Sequence, residues 1–156
     1  MNEFEIAQAL VLPYIRETLK WPEKLHSTYG RVPVQIGGSV VWADFVCYIF
    51  KDQRVAPWLV FEVKKPGITV EETVPQAESY SLILGSPFFC VTDGYEFTFY
   101  MTRGSQGSSI RLETLPARPI KEYLKDPTEH ITFPHEIDNL LELFLNGLKQ
   151  IGRAHV

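Results

Sequence analysis

The run APWLVFEVKKPG at residues 56–67 carries two ionisable groups in an otherwise apolar setting, Glu62 and Lys64. Side chains alternate across a strand, so Glu62, Lys64 and Val60 share one face. An unpaired charge inside such a strand is expensive. A second apolar run, VVWADFVCYIF at 40–50, holds one charge of its own, Asp44. If the two runs pair as a hairpin about a turn at 51–55, with residue 53 as its midpoint, residue 44 faces residue 62. Two neighbouring carboxylates repel and raise each other's pKa unless a positive charge intervenes. A divalent cation does this, and hard oxygen ligands suit Mg2+.

Two carboxylates and a lysine on one face form a set suited to phosphodiester hydrolysis. The cation lowers the pKa of a bound water and neutralises a phosphate oxygen. The lysine orients the attacking water or stabilises charge on the reacting phosphorus group. Zinc chemistry is disfavoured: His26, His130, His135 and His155 show no HExxH or paired spacing, and Cys47 and Cys90 are isolated.

The elements that must hold these groups follow from periodicity and turn chemistry. Residues 3–20 read as a helix, kinked or split at Pro13 and ended by Trp21-Pro22. Strands are predicted at 31–37, 40–50 and 57–64, closely connected and therefore an antiparallel meander. Pro66-Gly67 breaks the third strand. A helix ending near Leu84, with Gly85 as its C-cap, has two overlapping capping boxes, Thr69 with Glu72 and Thr73 with Gln76. Pro75 favours Thr73 as the N-cap, because proline belongs in a first turn. Strands at 87–92 and 95–101 follow, joined at Asp93-Gly94. After a loop at 102–109 come a short segment at 110–115, a short helix at 118–125 and a longer helix at 134–149.

The strand–helix–strand passage 57–92 implies a right-handed crossover and a parallel pair. The predicted fold class is therefore α/β in the broad sense: an α+β mixed sheet flanked by helices. The 156 residues suggest a single domain, with a core about 3–101 and a C-terminal extension. A net charge of −4 argues against gripping nucleic acid through a broad basic surface of its own. The cysteines read as buried thiols of a reducing compartment, with a single disulfide left open. Without a membrane-length apolar stretch or a leader-like start, the chain is placed in the cytoplasm.

Asp44, then Glu62-Val63-Lys64, then Gln76-Ala77-Glu78-Ser79-Tyr80 resembles the PD-(D/E)xK nuclease superfamily with its QxxxY extension. The wider context, Trp-Ala-Asp-Phe, Val-Phe-Glu-Val-Lys-Lys-Pro and Val-Thr-Asp-Gly, is similar to the N-terminal endonuclease domain of type I restriction enzyme R subunits, over roughly residues 5–100. Ala43 stands where the motif's name has proline. The resemblance implies a restriction-endonuclease-like core and a magnesium-dependent DNA endonuclease, with Mn2+ as a substitute cation. It implies Asp44 and Glu62 as metal ligands, helped by the Val63 carbonyl, and Lys64 as the catalytic lysine. Gln76 and Tyr80, one helical turn apart, would position the phosphate or the carboxylates. An acid from the first helix would join them: Glu17 is the candidate, with Glu3 and Glu5 as alternatives.

The implied partners are DNA and the motor, specificity and methylation components of a restriction complex, with no membrane. Nothing matches GxxxxGK[ST], so the motor is not in this chain. Two other readings stay open: a repair or recombination nuclease of the same superfamily, and a catalytically silent docking module.

Overall fold

In the computed structural model, which describes residues 1–103 and 107–125, five strands form a mixed sheet and two more form a separate hairpin. The helix expected at 134–149 lies outside the described residues. The N-terminal helical run buries Ala7, Val11, Ile15 and Leu19 at a strict four-residue spacing. An α-helix of 3.6 residues per turn would let that stripe drift around its axis. Here α1 (Glu3–Ile6) continues into wider turns over Ala7–Val11 and Tyr14–Thr18, with Leu12 bonded back to Ala7 and Leu19 to Tyr14. The i→i+5 geometry keeps the stripe on one line and accommodates Pro13 between the two segments.

The hairpin β1 (Val32–Ile36) and β2 (Ser39–Ala43) turns at Gly37-Gly38. It is not part of the main sheet, so the expected three-strand meander is corrected to a two-strand ribbon followed by a sheet. The break falls at Asp44, whose carbonyl accepts from the Gly30 N–H at 2.9 Å. Beyond it, β3 (Phe45–Lys51) pairs antiparallel with β4 (Arg54–Val63). Their connection is the two residues Asp52-Gln53, both at positive φ (52° and 61°), a tighter turn than the expected 51–55. A one-residue bulge follows: Tyr48 pairs with Pro57 and Cys47 with Leu59, leaving Trp58 unpaired. Pro57 has no N–H to donate, and a bulge is where a strand tolerates that.

From β4 the chain crosses over α2 (Val70–Leu84) to β5 (Phe88–Thr92), parallel to β4. The N-cap of α2 is Thr69, whose Oγ1 accepts from the Glu72 N–H at 3.3 Å. The expectation of Thr73 is thus corrected, and Pro75 sits in the second turn. Pro75 and Glu71, whose carbonyl loses its helical donor, are both exposed, so the freed carbonyl stands at the solvent side of the helix. Gly85, at φ 74°, ends the helix as expected. Strands β6 (Phe97–Met101) and β7 (Ile110–Arg111) complete the order β3-β4-β5-β6-β7. A 3-10 turn at Lys121–Leu124 replaces the short helix expected over 118–125.

The sheet's inner residues are fully packed, with Phe45, Phe61 and Phe89 wholly buried. Phe89 and Tyr100, cross-strand partners, stack at 4.9 Å. Cys47 and Cys90 are free and buried, and burial pushes both thiols up. They serve as packing groups.

The turn after β5 seals the sheet against the N-terminal run. Gly94 has φ 93°, and a Cβ there would lie 2.8 Å from both Ile6 Cγ2 and Leu10 Cδ1. Gly94→Ala therefore combines backbone strain with overpacking, and should lower unfolding stability by about 2–3 kcal/mol. Denaturant midpoints at unchanged m-value measure this; a midpoint within error of the parent refutes the packing.

Candidate active site

The last ladder pair between β3 and β4 is Phe45 with Phe61. The next position outward brings Asp44 opposite Glu62. The expected juxtaposition is present, but by a different route. The turn is shorter than assumed, which displaces the pairing by one residue, and the bulge at Trp58 moves it back. Without the bulge Asp44 would face a neighbour of opposite parity, since a one-residue slip exchanges sheet faces.

Asp44 is held at its carbonyl by Gly30 and at its side chain by Val63. Its Oδ2 accepts from the Val63 N–H at 2.6 Å. Glu62 lies next to it, only 4% exposed, with the two carboxyls within hydrogen-bonding reach of each other. Burial is the largest influence on both and pushes both pKa values up. Asp44 and then Glu3 raise Glu62 further, to about 11. The Val63 bond and the contact with Glu62 pull Asp44 back down. Burial and mutual repulsion thus favour the neutral form of the pair. Among the described residues, Glu62 Oε2 is the buried side-chain polar atom left without a hydrogen-bond partner.

Lys64 follows directly, 9% exposed, its own N–H bonded to the Thr92 carbonyl at 2.8 Å. That bond extends the parallel β4–β5 ladder by one step and so aims Lys64. The Lys64 ammonium also reaches Asp93 electrostatically. Partial burial raises the Asp93 carboxyl, but bonds from the Glu96 and Tyr95 N–H groups and then Lys64 bring it below its usual value.

From α2, Gln76 Nε2 donates to the Tyr80 hydroxyl at 2.7 Å. Because Thr69 caps the helix, Gln76 is not engaged in a capping box. Tyr80 is raised first by burial, with Gln76 opposing and Glu62 and Asp44 adding. With Gln76 donating to its oxygen, the phenol's proton is available to a neighbouring oxygen.

One open cleft of about 460 Å3 collects Asp44, Glu62, Val63, Lys64, Gln76 and Tyr80 along its walls. Glu17 is not among its lining residues. It is exposed in the second helical segment, with Arg16 and Thr18 exposed beside it. The N-terminal acid that does line the cleft is Glu3, raised by burial and by Asp44 and lowered by Lys65. Glu5 is occupied elsewhere, closing a capping box with Asn2 at 2.8 and 3.3 Å. That Asn2-x-x-Glu5 box is readable in the sequence, and would have left Glu3 as the free acid. No spacing or motif in the sequence singles out Tyr29. Its hydroxyl is raised to about 12, by burial first and then by Asp44, Glu3 and Glu62. Trp42, part of the Trp-Ala-Asp-Phe context, also lines the cleft, together with Val40 and Ile68, which no motif singles out.

Among the described residues no three or more His, Cys, Asp or Glu side chains stand at metal-ligand spacing. The donor set is two adjacent carboxylates, one with an unpartnered oxygen. It fits Mg2+, which is commonly held by one or two carboxylates and keeps several waters.

The fold is a mixed five-strand sheet with helices, an α+β architecture consistent with a restriction-endonuclease-like core. Residues 5–116 match the family described as Type I restriction enzyme R protein N terminus (HSDR_N), and the chain belongs to that family. No curated protein and no solved structure matches it. Among the described residues no helix is long and apolar enough to cross a membrane.

Proposed function

We propose that the chain is a magnesium-dependent DNA endonuclease domain of the PD-(D/E)xK type, acting within a restriction complex. The observation that carries this reading is the buried carboxylate pair with an orphaned oxygen, Glu62 Oε2, at the floor of an open cleft beside a lysine. Such a pair is costly to ionise unless a cation joins it. Family membership supplies the restriction context.

Asp44, Glu62 and the Val63 carbonyl would hold the cation, with Glu3 adding negative potential. Bound Mg2+ supplies Lewis acidity toward a phosphate oxygen and makes water a better nucleophile. Lys64 stabilises the charge that grows on the phosphodiester oxygens in the transition state, from a site already oriented by its backbone. Tyr80, held by Gln76, donates a hydrogen bond toward a phosphate or carboxylate oxygen and sets its position.

Calorimetric titration with Mg2+ of the parent, Asp44→Ala and Glu62→Ala tests this together with cleavage of supercoiled plasmid DNA. The parent should bind the cation and nick the plasmid, and both variants should bind at least tenfold more weakly and leave it intact. Equal binding by parent and variants sinks the reading.

A further inference from the structure

Lys64 stands between two groups of acids. Along its own strand Glu62 is two residues back and on the same face, with Asp44 opposite it. Across the β4–β5 ladder Glu62 pairs with Val91 and Val63 with Thr92, and the Lys64 N–H bonds to the Thr92 carbonyl at 2.8 Å. Continuing that parallel register by one residue sets Lys64 beside Asp93, at the start of the turn after β5. Adjacent strands lie about 4.8 Å apart, so the two side chains are cross-strand neighbours of opposite charge.

Two observations show which group the ammonium faces. Glu62 Oε2 has no hydrogen-bond partner, so the ammonium does not rest on it. The carboxyl that Lys64 acts on is that of Asp93: burial raises it, yet the Glu96 and Tyr95 N–H groups and then Lys64 bring it below its ordinary value. Asp93 is also rigidly placed. Its Oδ1 accepts from the Tyr95 and Glu96 N–H groups, both at 2.9 Å, while the Gly94 N–H donates to Thr92 Oγ1 at 2.9 Å. The second carboxylate oxygen of Asp93 makes neither of these turn bonds and keeps its acceptor capacity.

The placement matters because lysine is a point charge on a flexible stem. An ammonium resting on Glu62 would neutralise the carboxylate pair and compete with a divalent cation for its oxygens. We propose that Asp93 is a positioning residue: it holds the Lys64 ammonium off the Asp44–Glu62 pair, so that the pair stays open to a cation and the ammonium stays available to a phosphate. The proposal rests on the reading of that pair as a Mg2+ site.

The test compares the parent, Asp93→Asn, Lys64→Met and the double variant. Asparagine keeps an acceptor oxygen for the Tyr95 and Glu96 N–H groups and suits the same turn, so the substitution removes the charge alone. Thermal melts should place Asp93→Asn close to the parent. In the metal-free protein, nuclear Overhauser contacts from the Lys64 Hε protons should run to Asp93 Hβ in the parent and to Glu62 Hγ in Asp93→Asn. Calorimetry should show Asp93→Asn binding Mg2+ roughly tenfold more weakly than the parent, the size of one charge-assisted hydrogen bond in competition. The double variant should recover the parent's affinity, because the competing ammonium is gone; a role in the turn alone would give no such rescue. Lys64 contacts to Glu62 in the parent overturn the proposal without any variant. So do contacts that do not move in Asp93→Asn, an Asp93→Asn affinity equal to the parent's, or a loss that Lys64→Met fails to reverse. If the contacts move as expected and none of the four proteins binds Mg2+, the positioning stands and the Mg2+ reading falls. Mg2+ bound equally by parent and Asp93→Asn does the reverse.

Discussion

Replacing Lys64 by methionine should reduce Mg2+-dependent DNA cleavage roughly a hundredfold to a thousandfold, with Mg2+ affinity and unfolding stability close to the parent's. The magnitude is that of removing one preorganised donor from a site where charge develops. Methionine is the informative variant. Lys64 is 9% exposed, so its aliphatic stem is packed, and alanine would add a cavity to the loss of charge. The Lys64 N–H would still bond to the Thr92 carbonyl, so the end of β4 should keep its course. Single-turnover cleavage rates, metal calorimetry and thermal melts separate the outcomes. A methionine variant that cuts at more than a tenth of the parent rate would remove Lys64 from the chemistry.

The second large effect is on the metal-free protein, whose stability should fall as pH rises from about 5 to about 8. Glu62 titrates near its ordinary value of 4.5 when unfolded, and is pushed up to about 11 in the fold, by burial first and then by Asp44 and Glu3. Between those values the folded state holds a proton that the unfolded state has released. A raised carboxyl pKa thus favours folding most below the unfolded pKa, and that contribution is lost as pH climbs toward the folded one. One proton of difference corresponds to a slope of at most about 1.4 kcal/mol per pH unit. Glu62→Gln removes the group, so the metal-free variant should be the more stable protein at pH 8, by on the order of 2 kcal/mol, and similar to the parent at pH 4. Mg2+ should abolish most of the difference by displacing the proton, with proton release visible in buffers of different ionisation enthalpy. Parallel stability–pH curves for the metal-free parent and Glu62→Gln would show that the pair keeps no proton. Such a residue, costly for the fold, is common where a site must receive a cation.

At three places the local pattern and the folded structure part. Counting from a turn centred on residue 53 pairs Asp44 with Glu62, but the turn is Asp52-Gln53; the bulge at Trp58 compensates, and nothing in residues 54–58 beyond Pro57 announces its position. The start of α2 lies at Thr69 and not at Thr73 because proline in the second turn is tolerable when the freed carbonyl faces solvent, which depends on how the helix is set on the sheet. Helical spacing does not separate Glu17 from Glu3, whereas the Asn2–Glu5 box occupies Glu5 and leaves Glu3 free.

Residue types, strand alternation and helical spacing are covalent, short-range properties. They alone assign Glu62 and Lys64 to one strand face, Gln76 and Tyr80 to one helix face, and a crossover between β4 and β5. Tertiary packing decided the rest. It chose which N-terminal acid enters the cleft, detached the β1–β2 ribbon from the sheet at Asp44, and left Trp42 standing at the rim. Each of those outcomes turns on contacts between segments distant in the chain, whose free energies no local pattern records.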